Sequence, residues 1–401
     1  MTKRKRTDAS LTPTDDKTGV PVKVKVPDIM LEIIEVTWKS GIDTARNKAK
    51  IAAPHWAAGL DAKEEDKPDL QHYPTGSQKP GVYLVKSKKG VDTFEVKIKV
   101  TKNSTSETSG KLLGNLSGLY FDGKCDLSVG THTATMKFKE LPNVLTHLEG
   151  DASWGLEANL MSSLLPTKTR LELFVIFDKP MTFYTEGVWA EALRFVFKKA
   201  AVGASAKAED AIKKITNYCH TVHGMTYDTM QGASNFGSIP IGGYGFKLLN
   251  YIKKQGNDAA IPNKVNCYDQ AAAVQALSGA LGAKVDWIFM QPYGFIKTTN
   301  LVGVGSCNNP FYKSNGTAAI VVKSDPKRTA FGNHAYVYLN TKIHDSCAGP
   351  HAGTESLRQY LEAAIDAETS IPVIAKGMKP SEFYDALENL GIPLQGITGL
   401  A

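Results

Sequence analysis

Near Thr185 the spacing of apolar residues changes, and this confines the chain to a β-rich part followed by a part that contains helices. Before it, "GVYLVKS", "DTFEVKIKV", "THTATMKFKEL" and "TRLELFVIF" are short runs, alternating or rich in β-branched residues. Turn material such as "KSKKG", "TKNSTSETSG" and "FDGK" separates several of them. Short strands so punctuated predict an all-β, sandwich-like domain over residues 23–180. The polar lead, residues 1–22, is expected to be a disordered tail, and "PVKVKV" to open the β part. After Thr185, "GVWAEALRFVFKKA" and "SAKAEDAIKKITNYCHTVHG" read as helices, the second with Ala208, Ala211, Ile215, Tyr218 and Val222 on one face. "GASNFGSIPIGGYG" reads as a mobile loop beside a site. "KVDWIFM", "GTAAIVVK", "HAYVYL" and "KIHDSC" read as strands, and "ESLRQYLEAAI" and "SEFYDALENLG" as late helices. Residues 181–401 are therefore expected to form an α+β domain in a multi-domain chain.

The stretch "NKVNCYDQAAAVQALSGALGAKV" places a thiol where packing alone does not require one. Asn263 and Asn266 are helix-starting residues. Ala271, Val274, Leu277 and Leu281 then recur at the period of one buried face. Cys267 lies on that face at its first turn. A cysteine there can be a small core residue. It can also be a nucleophile, because the positive end of a helix stabilises a thiolate. The second reading needs a base and an orienting acid elsewhere.

Both are available in "FGNHAYVYLNTKIHDSCAGP". If Asn340 and Thr341 alone make the turn, Leu339 pairs with Lys342. His334 and Asp345 then share a face as diagonal neighbours, with backbones roughly 7–8 Å apart, while His344 points to the other side. Taken singly, His334 reads more readily as a packed strand residue and Asp345 as a strand-end turn residue. Together with Cys267 they supply nucleophile, base and orienting acid in order.

"NCYDQAAAVQALSGALGAKV", "NHAYVYL" and "KIHDSC" resemble the three motifs of the transglutaminase-like superfamily, a circularly rearranged relative of papain-type cysteine proteases. "ITNYCHTVHGMTYD" resembles the lead helix of that family, so the resemblance covers about Lys207 to Pro350. It implies a transglutaminase-like (papain-like) α+β domain with Cys267 as nucleophile, His334 as base and Asp345 as orienting acid. The chain departs from the family in having Val265 and Asn266 where glycine often precedes the cysteine. No aromatic partner for the oxyanion is evident, and calcium loops of the EF-hand kind are absent.

The implied function is thiol-dependent acyl transfer on protein or peptide amides: glutamine deamidation, crosslinking or peptide-bond hydrolysis. The alternatives are a papain-like cell-wall peptidase or amidase and a catalytically inactive binding module of the same fold. Composition narrows the partners. The net charge of +7 owes much to the four basic residues in "MTKRKR", and no basic–aromatic pattern points to nucleic acid. The longest apolar run, "LELFVIF", is too short for a membrane span. The five cysteines contain no CxxC pair, which argues against a disulfide framework and a zinc site. No metal or cofactor is expected. The start lacks an apolar signal region, so the expectation is a cytoplasmic protein, or an effector or toxin exported without a classical signal peptide. The latter would bring an export machinery or an immunity partner.

Overall fold

The structure, a computed structural model, describes residues 29–52, 54–58, 79–158, 161–238, 244–309, 311, 321–323, 325–394 and 396–401. The expected tail at 1–22, the run "PVKVKV" and most of "GTAAIVVK" lie outside the described residues.

The first part is built on β1 (Ile29–Trp38), β2 (Trp56–Ala57), β3 (Gly81–Leu84), β4 (Thr93–Asn103), β5 (Ser109–Leu116), β6 (Leu119–Asp126), β7 (Gly130–Phe138), β8 (Thr146–Ala158) and β9 (Met161–Ile176). These join in one nine-stranded sheet of order β2-β1-β4-β7-β6-β5-β8-β9-β3, where two packed sheets were expected. Every pairing is antiparallel except that of β9 with β3. The sheet curls. The Glu172 N–H on β9 donates to His55 Nε2, just before β2, across 3.1 Å, so one edge of the sheet reaches back to the other.

Alternation determines which face turns inward. On β4, Phe94, Val96, Ile98 and Val100 are buried between half-buried or exposed neighbours, and Ala134, Met136 and Phe138 repeat this on β7. The enclosed core is aromatic: Phe121 lies 5.0 Å from Phe94 and 5.3 Å from Trp154, centroid to centroid. The Phe121 ring covers Gly114, its cross-strand partner, where a Cβ would fall 1.9 Å from the ring. Any larger residue at 114 would displace this ring.

β9 departs from alternation because it is buried on both sides. Leu171, Leu173 and Val175 belong to the core of the sheet. Phe174 and Ile176 belong to a second core with Trp189, Leu193 and Val196. This double burial accounts for the run "LELFVIF", whose one charged residue, Glu172, is itself buried.

The second part contains α1 (Ala190–Arg194), continued by a π-helical turn over Phe195–Lys199, then α2 (Ala208–Thr221), α3 (Leu248–Lys253), α4 (Cys267–Ala280), α5 (Leu357–Ala364), α6 (Ala367–Ile374) and α7 (Pro380–Leu390). The buried face of α2 is Ala211, Ile212, Ile215, Thr216 and Cys219. The expected stripe fails at Val222, which is exposed, and Tyr218 is only half-buried. An antiparallel sheet of order β13-β12-β11-β10-β14 packs on α4; its strands are β10 (Asp286–Met290), β11 (His334–Leu339), β12 (Lys342–Asp345), β13 (His351–Ala352) and β14 (Ile392–Leu394). Every residue of α4 except Tyr268 is buried. Such a helix runs through a core, where the sequence suggested only one buried face. Among the described residues, no helix is long and apolar enough to cross a membrane.

Candidate functional site

α4 begins at Cys267 because its cap is complete. The Asp269 N–H donates to the Asn266 side chain at 3.1 Å, and the Asn266 N–H donates to the Asp269 carboxylate at 3.2 Å. The Cys267 N–H, at the first helical position, takes no part in this cap. The Asp269 carboxylate also accepts from the Ser234 hydroxyl at 2.6 Å and from the N–H groups of Asn235 and Phe236 at 2.9 and 3.1 Å. The described part of the loop expected to be mobile is therefore pinned to the helix start.

β11 and β12 form the hairpin in the register set by a two-residue turn, with Leu339 opposite Lys342 and Val337 opposite His344. Asn340 and Thr341 adopt φ of 46° and 65°, the left-handed pair that suits the twist of a tight hairpin. His334 and Asp345 consequently share a face. His334 Nε2 lies 2.8 Å from Asp345 Oδ2, and both side chains are almost wholly buried. Asp345 Oδ1 accepts from the N–H groups of Cys347 and Ala348 at 2.7 and 3.2 Å, and Oδ2 also accepts from the Tyr360 hydroxyl at 3.0 Å. A carboxylate with four donors is held in one rotamer.

The start of α4 is tied to both ends of this hairpin. The Tyr268 hydroxyl donates to Asn333 Oδ1 at 2.8 Å, immediately before His334. Gln270 Nε2 donates to the Ser346 carbonyl at 3.0 Å, immediately after Asp345. The fold thus gathers Cys267, His334 and Asp345 in one buried place. Among the described residues His334 Nδ1 has no nitrogen or oxygen partner, and the Cys267 thiol is near enough to favour the charged imidazole.

Electrostatics follow from this arrangement. Burial alone would discharge the His334 imidazole, but Asp345, with a smaller contribution from Cys267, overrides it and raises the pKa to about 10. Burial likewise opposes the Asp345 charge, yet the His334 partner holds its carboxyl below the usual range. His344, on the other face, has Thr216 Oγ1 at 3.4 Å from its Nδ1, and burial lowers its pKa to about 4.

Three tyrosines to which the sequence assigned no role surround the site. Tyr293 lies over the His334 ring at 4.7 Å between centroids, and its hydroxyl is 2.8 Å from that of Tyr360. Tyr227 is buried; its acidity is weakened first by burial and then by the neighbouring Cys267. Its hydroxyl stands close to Gly232, where a Cβ would be 3.7 Å away. Tyr227 lies in "MTYD", yet nothing local separates it from an ordinary core tyrosine. Cys267 itself is 4% exposed, so a substrate must displace part of the cover around it; Phe331 stands 5.9 Å from the His334 ring, with Phe311 packed on it.

The one described cluster with metal-ligand composition is His147, Glu149 and Glu172. Its carboxylates already pair with Arg194, Arg170 and Lys198, so protein cations neutralise their charge.

No family model matches the sequence, and no curated protein matches it. Among solved structures, the chain is similar to the crystal structure of red sea bream transglutaminase, with a TM-score of 0.40 and 9% identity. The match covers 78% of this chain and 55% of that one, so the chain spans about half the length of that relative.

Proposed function

We propose that the chain catalyses thiol-dependent acyl transfer on protein or peptide amides, with Cys267 as nucleophile, His334 as base and Asp345 as orienting acid. The observation that carries this reading is the buried His334–Asp345 pair, 2.8 Å apart, on a hairpin whose two ends are bonded to the first turn of the Cys267 helix. His334 takes the thiol proton, and Cys267 Sγ attacks the amide carbonyl. When the tetrahedral intermediate collapses, the C–N bond breaks and His334 returns the proton to the departing ammonia or amine. The Cys267 N–H, at the first helical position, is the donor we assign to the oxyanion, with the buried Tyr227 hydroxyl as a second. Water then resolves the thioester to an acid, or an amine resolves it to a new amide. Deamidation, crosslinking and cleavage of a main chain are three outcomes of one acyl-enzyme.

The test is mass spectrometry of glutamine-containing proteins incubated with the full chain and a primary amine. A gain of about one dalton identifies deamidation, an amine adduct identifies transfer, and a cut chain identifies proteolysis. His334→Ala should slow whichever reaction appears by roughly 10²–10⁴-fold, the contribution of a general base, without unfolding the protein. Activity that survives Cys267→Ala would rule the reading out.

A further inference from the structure

Asp345 is bonded from outside the hairpin by a residue more than ten positions further along the chain. α5 starts at a capping box in which the Gln359 N–H donates to Ser356 Oγ at 3.3 Å and the Ser356 N–H donates to Gln359 Oε1 at 2.9 Å. One residue later the helix presents Tyr360, fully buried. The Tyr360 hydroxyl donates to Asp345 Oδ2 at 3.0 Å, the same oxygen that faces His334. Its oxygen in turn accepts from the Tyr293 hydroxyl at 2.8 Å, and the Tyr293 ring lies over the imidazole. The four side chains close a circuit: Tyr293 to Tyr360 by hydrogen bond, Tyr360 to Asp345, Asp345 to His334, and His334 back to Tyr293 by ring contact.

We propose that Tyr360 is a positioning residue of this site, with Tyr293 as its support, so that the helical segment after the hairpin sets how well His334 faces Cys267. The proposal rests on the acyl-transfer reading above. Among the described residues, Asp345 Oδ1 is held by main-chain N–H groups, whereas Oδ2 is held by the His334 and Tyr360 side chains. Removing the Tyr360 hydroxyl therefore frees the half of the carboxylate that orients the imidazole. It also leaves the Tyr293 hydroxyl without its acceptor, next to the base.

The test uses the full chain, with iodoacetamide as a neutral probe of the thiol. The rate of Cys267 alkylation is measured against pH for the wild type, for Tyr360→Phe and for Tyr384→Phe. Tyr384 donates a buried hydroxyl to the Ile365 carbonyl at 2.9 Å, so its variant loses a comparable bond in the same helical segment without touching Asp345. Tyr360→Phe should label about tenfold more slowly at neutral pH, with its profile moved to higher pH, as loss of a hydrogen bond to a charged group implies. Tyr384→Phe should keep the wild-type profile even where its melting temperature falls. An unchanged profile in Tyr360→Phe, or equal shifts in both variants, overturns the proposal while leaving Cys267 as nucleophile. Slow labelling of Cys267 in the wild type overturns the acyl-transfer reading and this proposal with it.

Discussion

The nine-stranded sheet and the layer around α4 bury different things. The sheet turns apolar side chains inward and polar ones outward, so few polar groups lose water. Among the described residues, four polar or charged side chains before residue 180 are buried, against twenty-two after it. Burying a polar group is unfavourable unless it is bonded, so the second part must satisfy a network before it is stable. Gln270 and Ser346 bond to each other's main chain, while Asp269 holds the loop at Asn235 and Asp345 the turn at Cys347, so the segments that carry Cys267 and His334 are tied together. The first region gains stability from area. The second gives up some of that ease to hold a few groups in register.

β9 belongs to both regions, and separating them is the most severe test of the contrast. The fragment 181–401 loses Val82, Phe174 and Ile176, which complete the core of Trp189, Leu193 and Val196. Each such side chain contributes roughly 1.5–3 kcal/mol when buried. Three together approach the roughly 5–15 kcal/mol stability of a whole domain. The fragment should lack fixed tertiary structure, measured as a missing near-ultraviolet circular dichroism signal and a broad melt. A cooperative melt of 181–401 would show that the second core is self-sufficient and that the division suggested by the change of period near Thr185 is also a division in folding.

The junction also carries a buried ion pair, a finer probe of the same boundary. Arg194 on α1 reaches Glu172 on β9 through Nε at 3.0 Å and Nη2 at 2.6 Å, and His147 Nε2 lies 3.0 Å from the same carboxylate. Burial would raise the Glu172 pKa, but the His147 and Arg194 partners hold it far below the carboxylate range. This depressed pKa adds stability above the unfolded value near 4.5 and loses it as pH falls toward the folded value. Arg194→Met should therefore lower unfolding free energy at neutral pH by about 3–5 kcal/mol, because a buried carboxylate is left with less compensation. Urea midpoints would read the loss. Turnover per folded molecule should not change, since neither residue contacts Cys267, His334 or Asp345. A variant of normal stability but low turnover would place this junction in the chemistry.

Local pattern carries much of the site. The Asn266 cap, the apolar period behind Cys267 and the two-residue turn at Asn340–Thr341 are contiguous signals, and each corresponds to an observed element. What local pattern does not carry is partnership at a distance. Nothing in "ESLRQYLEAAI" points Tyr360 at Asp345, and nothing in the strand runs says whether they form one sheet or two. The α2 stripe fails at Val222 because the helix ends at Thr221 and Val222 is its cap, while the buried face closes with Cys219 and His220. The all-round burial of α4 is hidden for a related reason. Its many alanines and single glycine suit any environment and report no face.

The smallest expected effect belongs to His344, and it discriminates well because the residue is so near the site. It neighbours Asp345 in sequence but faces α2, with Thr216 Oγ1 at 3.4 Å from Nδ1 and, among the described residues, no partner for Nε2. A one-residue slip of the hairpin would exchange it with Asp345 on the face of His334. In the observed register burial lowers its pKa from 6.5 to about 4, so it is neutral at pH 7 and adds no charge to the site. Its folded value lies below its unfolded one, so it is a liability in acid. As pH falls from 6.5 toward 4 the unfolded chain takes up a proton that the folded chain refuses, and stability drops. His344→Ala should leave turnover within about twofold of wild type, against the roughly 10²–10⁴-fold loss in His334→Ala. It should also reduce the fall in melting temperature between pH 6.5 and 4, although the cavity it leaves lowers stability at neutral pH. Equal loss of turnover in the two variants, with both still folded, would show that the working hairpin register differs from the observed one and would remove Asp345 from its role.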